Sequence, residues 1–110
     1  RVHLVNVQPQ IATPHVKLLV SRDSLDDYYR DESSAVLTPA LERLRGAKVP
    51  ATAHSRVGHA VDHIIDCCNA QHCDEIVIGT HGRGGFKGAL MGSVAQKVVH
   101  AATVPVVLIR

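Results

Sequence analysis

The sequence predicts an α/β protein with an open parallel sheet. Three observations predict it. Short stretches rich in β-branched residues alternate with stretches whose apolar residues recur at helical spacing. One strand-like stretch, Glu75-Ile-Val-Ile-Gly79, is apolar without alternation, as in a strand covered on both faces. A glycine-rich loop then leaves the carboxyl end of that strand and leads into a helix, and in open α/β sheets ligands bind at such ends.

Each element follows in order. Val2 to Val7 reads Val-His-Leu-Val-Asn-Val, a strand stopped by Gln8-Pro9. Residues 10–23 have no period and read as a loop. From Ser24 onward Leu25, Tyr28, Tyr29, Val36, Leu37, Ala40, Leu41 and Leu44 recur at mostly helical spacing. Ser24 can cap this helix, and Asp27 favours its first turn electrostatically. Pro39 lacks an amide hydrogen, so it should kink the helix or restart it behind Thr38; the stretch reads as one helix or two. Gly46 ends it. Val49 to Val57 alternates weakly and holds Pro50, as an edge strand does. Gly58 to Gln71 is helical, with Val61, Ile64, Ile65 and Cys68 on one face. After the strand at Glu75 to Gly79 and its loop come a helix from Ser93 to His100 and a last strand, Val104 to Ile109. Crossovers between parallel strands should be right-handed.

Composition narrows the function. The 110 residues make one domain, residues 1–110, with 45% apolar residues to build its core. The formal net charge of +2 is too small to hold nucleic acid by charge. The three aromatic residues, Tyr28, Tyr29 and Phe86, are too few for a base-stacking platform. Apolar runs such as Val104 to Ile109 fall far short of the roughly 20 residues of a membrane span. Neither nucleic acid nor membrane is therefore expected as a partner. No signal peptide is visible, and the clustered cysteines Cys67, Cys68 and Cys73 suit a reducing cytosol better than a disulfide framework. A cytoplasmic location is expected. The chain begins at Arg1, which suggests a natural start further upstream.

The strongest functional signal is the stretch from Gly79 to Ser93. Its glycines let the backbone approach an anion closely and turn sharply. The unpaired amides and dipole of the following helix favour negative charge. Ser93 adds a hydroxyl, and Arg83 and Lys87 add positive charge. A phosphate group suits this loop. It is not a P-loop, because no Gly-Lys-Ser/Thr closes it, and the dinucleotide pattern Gly-x-Gly-x-x-Gly is not cleanly present.

The pattern that fits is Gly-x-x-Gly, nine residues, then Gly-Ser, carried by Gly79, Gly82, Gly92 and Ser93. It resembles the ATP-binding branch of the universal stress protein family. Asp74 to Gly82 before the loop, and Gly92 to His100 followed by Val-Pro-Val-Val-Leu-Ile, look like that family's closing third. The opening Val-His-Leu-Val-Asn-Val-Gln-Pro resembles its second strand. The resemblance implies a Rossmann-like three-layer sandwich of the adenine-nucleotide α-hydrolase type, with strand order 3-2-1-4-5. It implies ATP as ligand, with Mg2+ as an optional companion. By match, Ile78 and Gly79 lie at the ribose; Gly82, Gly92, Ser93, Val94 and Ala95 line the phosphates; and Val7 faces the adenine. Some binders carry a hydroxyl where Ala95 stands. The resemblance also implies a homodimer through Val104 to Ile109, two edge strands pairing antiparallel about a twofold axis.

One departure is larger. The family opens with a strand ending in aspartate, then a helix, and this sequence shows neither. That strand is central, between Val2–Val7 and Glu75–Gly79. Either these two strands close up on each other, or a strand from another polypeptide fills the place. The second is expected, because the flanking helices are spaced for five strands.

The leading reading is a nucleotide-binding stress protein that acts by binding and dimerisation, not turnover. No motif places a carboxylate to activate water, so no catalytic residue is assigned and at most slow ATP hydrolysis is expected. One alternative is an interaction module of the same fold that binds no nucleotide. Another is a metal or redox sensor on the helix carrying His59, His63 and Cys67, which recur every four residues. The projection of that helix turns His59 and His63 away from its apolar face, toward solvent. Cys68 is read as a core residue, and no metal ligand is assigned.

Overall fold

Each alternating stretch forms the kind of element its pattern predicts. The computed structural model describes residues 1–11, 21–81 and 91–110. The described elements are β1 (Val2–Gln8), α1 (Arg22–Gly46), β2 (Ala51–Val57), α2 (Ala60–Ala70), β3 (Ile76–Gly79), α3 (Ser93–Ala101) and β4 (Val106–Ile109). The fold is α/β and Rossmann-like, and both described strand pairs are parallel. Two compact units divide it, Arg1–Ala60 and Val61–Arg110.

In the first unit β1 and β2 pair in parallel, from Val2 opposite Ala51 to Gln8 opposite Val57. Such a pairing needs a crossover, and α1 supplies it, packing against both strands. Its inward stripe runs through Leu25, Tyr29, Ser33, Leu37, Leu41 and Leu44, at intervals of three or four residues. Tyr28, counted in the apolar pattern, is exposed. The Tyr29 hydroxyl accepts a 2.8 Å hydrogen bond from the Ile11 amide.

For α1 one local expectation is corrected and one open alternative is decided. Ser21, not Ser24, is the cap: its hydroxyl accepts from the Ser24 amide at 3.2 Å, which places the start at Arg22. Pro39 does not split the element, which runs as one helix through it. A proline inside a helix costs about 3 kcal/mol. Burial of Val36 and Leu37 before it and Ala40 and Leu41 after it offsets that cost. The helix ends at Gly46 as expected, and the chain turns left-handed at Lys48, with φ of 59°.

In the second unit β3 and β4 pair in parallel, Ile76 opposite Val106 to Gly79 opposite Ile109. Cys68, Ile76 and the fully buried Val98 form the core, with Val61, Ile64, Ile65, Ile78, Val104 and Val106 packed on it. The α2 face predicted to be apolar is therefore the one that builds the core. Val104 and Pro105 precede β4 instead of lying in it, and the Pro105 carbonyl accepts from the Ile76 amide at 2.9 Å.

The described strands thus make two two-stranded sheets. Each pair, β1 with β2 and β3 with β4, is also a neighbouring pair in the expected strand order. Among the described residues no helix is long and apolar enough to cross a membrane.

Candidate functional site

The site grows from the carboxyl end of β3. Strand pairing with β4 continues one residue past Gly79, where the Thr80 amide donates to the Ile109 carbonyl at 2.8 Å. The Thr80 carbonyl then accepts from the Gly92 amide at 2.6 Å. That bond returns the chain, after its long loop, to the strand end it left. Gly79, Gly92 and Ser93, separated by twelve positions of sequence, are drawn together by it.

Gly92 caps α3 without a side-chain hydrogen bond. Its backbone, φ −59° and ψ 154°, is open to any residue, so conformation does not require glycine here. Its carbonyl takes the first helical bond, from the Gln96 amide at 3.1 Å. The amides of Ser93, Val94 and Ala95 precede that bond and have no intrahelical acceptor. No acidic residue stands in the first turn of α3 to compete for them. An anion is the complement that such an end favours.

The sequence-assigned residues divide as follows. Ile78, Gly79, Gly92, Ser93, Val94 and Ala95 lie in the second unit, at the end of β3 and the start of α3. Ile78 packs on the core, while Ser93 and Val94 are exposed. Ala95 is 2% exposed, so its side chain belongs to the core and only its amide can face a ligand. Val7 lies in the first unit, half-buried near the end of β1. Gly82, Arg83 and Lys87 lie outside the described residues. Sequence reasoning missed Thr80. Its position directly after the motif's first glycine was the available signal.

The helix α2 is corrected in one respect. His59 is exposed, but His63 is half-buried and Cys67 is buried, so the three do not share a solvent face. The buried stripe is wide enough to take in both Cys67 and Cys68. Burial, followed by the neighbouring Cys73 and Cys67, pushes the Cys68 thiol above its ordinary pKa. Cys68 therefore stays protonated, as a core residue should. Among the described residues no three His, Cys, Asp or Glu side chains converge as a metal cluster would require.

Comparison with known proteins fits this geometry. The model of the universal stress protein family matches residues 1–110. Universal stress protein Mb2028c of Mycobacterium bovis is 57% identical over 35 residues, 32% of this chain and 12% of that protein. Universal stress protein MJ0531 of Methanocaldococcus jannaschii is 24% identical over 109 residues, 99% of this chain and 62% of its own length. In each case the chain spans less than two thirds of the relative. Among solved structures, hypothetical protein MJ0577, the subject of a structure-based assignment of biochemical function, superposes with a TM-score of 0.83 at 20% identity. That match covers 97% of this chain and 73% of MJ0577.

Proposed function

The chain belongs to the universal stress protein family, and on that premise we propose that it binds an adenine nucleotide, ATP with Mg2+ as its companion, and acts in the cytoplasm by binding rather than turnover. The hydrogen bond from Gly92 to Thr80 carries this reading. It holds the first turn of α3, with its unpaired amides, beside the end of β3. The amides of Ser93, Val94 and Ala95 and the Ser93 hydroxyl would take the phosphates, and Gly92 would keep a side chain out of their way. Arg83 would add charge, and Ile78 and Gly79 would border the ribose. The absence of a first-turn carboxylate fits a polyanion. Isothermal titration with MgATP tests the reading, and mass spectrometry of small molecules released from the purified protein identifies the natural ligand.

The exposure of Val107, Leu108 and Ile109 on β4 favours a second, compatible role as a dimerisation module through that strand. Sedimentation at rising concentration tests it.

A further inference from the structure

His3 on β1 and His54 on β2 stand on neighbouring strands of one parallel ladder, where His3 is level with Thr52 and Val5 with His54. Side chains two positions apart along adjacent strands lie on the same face. The two imidazoles meet there: Nδ1 of His3 and Nε2 of His54 are 2.9 Å apart, with ring centroids 5.2 Å apart and planes tilted by 37°. Both rings are half-buried. Their spacing is set by the strand ladder, not by two flexible side chains on a loop.

We infer that this pair is a chelating site for a divalent transition ion such as Ni2+ or Cu2+. The 2.9 Å contact is a hydrogen bond in which one ring's N–H points at the other ring's lone pair. A turn of each ring about its side-chain bonds would aim both lone pairs at one ion held between the two strands. Imidazole suits Ni2+ and Cu2+, and affinity rises from Ni2+ to Cu2+ for a given ligand set.

The surroundings agree. In the apo pair one ring donates to the other; with a metal, each ring carries its proton on the remote nitrogen and turns a lone pair to the ion. Arg1 donates to the Thr52 hydroxyl at 3.0 Å and Arg56 to the Ser55 carbonyl at 2.8 Å. No third His, Cys, Asp or Glu joins the pair among the described residues, so water would complete the coordination.

The test is calorimetric titration with NiCl2, which does not oxidise the thiols, at pH 7.5 on wild type and on His3→Ala, His54→Ala and His54→Gln. Circular dichroism checks that each variant is folded, and His54→Gln keeps a polar side chain in place. One Ni2+ per chain in wild type, weakened at least tenfold in all three variants, is the expected result. Loss in His3→Ala but not in the His54 variants would put the ion on the amino-terminal backbone and overturn the inference. Binding unchanged in every variant would put it on other histidines, with the same consequence. Wild type that takes up no Ni2+ would also reject it.

Discussion

The Gly92 amide and the Thr80 carbonyl are joined by a 2.6 Å hydrogen bond across the whole length of the glycine loop. Because the bond uses backbone atoms, substitutions at Gly92 and Ser93 can alter the anion site without removing the tie itself. Gly92→Val leaves the backbone in a region valine adopts readily, but places two methyl groups where a phosphate would approach. Ser93→Ala removes one hydroxyl bond to a charged partner, a loss of about 1.5–3 kcal/mol. Titration calorimetry should show ATP affinity falling in both variants. Equal affinity in Gly92→Val and wild type would exclude the phosphate role of this helix start.

Ser33 makes an unusual contribution to the inner face of α1. It is 2% exposed, and its hydroxyl has no hydrogen-bond partner among the described residues. A buried unsatisfied polar group costs about 1–3 kcal/mol. Ser33→Ala removes that cost and raises helix propensity, so it should increase stability by about 1 kcal/mol in urea unfolding. Val98→Ala should do the reverse. Val98 is fully buried in the second unit's core, and two lost methylene equivalents with the resulting cavity cost about 2 kcal/mol or more.

The order of the elements was legible in the sequence because each is short and its pattern local. The strands at Val2 and Ile76 are apolar runs stopped by Pro9 and a glycine loop, and α2 shows its core face through Val61, Ile64, Ile65 and Cys68. The continuity of α1 was not legible. Pro39 signals a break locally, and only burial on both sides of it overrides that signal. The glycine-serine spacing announced the site, but the bond that closes it uses backbone atoms, which no residue type reveals. His3 and His54 are 51 positions apart, and their pairing depends on a strand register that the sequence does not state.

The same histidine pair makes stability depend on pH. The folded pKa of His54 lies below its unfolded value, chiefly through burial, then through His3 and Arg56. Above the unfolded pKa of about 6.5 both states are neutral there, and the pair is undisturbed. As pH falls below about 6.5 the unfolded chain takes up a proton that the folded chain resists, so stability drops. Thermal unfolding should therefore show a lower midpoint at pH 5.5 than at pH 7.5, with a smaller difference in His54→Gln. A midpoint equally pH-dependent in both proteins would remove His54 as the cause.

Three thiols in one unit give a graded chemical reactivity. Cys67 and Cys68 are buried, and the Cys68 thiol is pushed above its ordinary pKa, while Cys73 is half-buried. The thiolate is the reactive form. At pH 7.5 a thiol reagent should modify Cys73 first, and Cys67 and Cys68 only after denaturation. Peptide mapping after brief exposure checks the order, and early modification of Cys68 would contradict the burial of α2.

Partner strands are the remaining question for this fold. Each sheet among the described residues has two strands, β1 with β2 and β3 with β4. Two strands seldom suffice for independent stability, and an open strand edge presents unpaired amides and carbonyls to another chain. The edge of β4 suits a second copy of this protein, because its residues 107 to 109 are exposed and apolar. Val107→Lys should then shift sedimentation toward monomer without disturbing β3–β4 pairing, since lysine is tolerated at an exposed strand edge. Sedimentation unchanged by Val107→Lys would leave this edge out of the association.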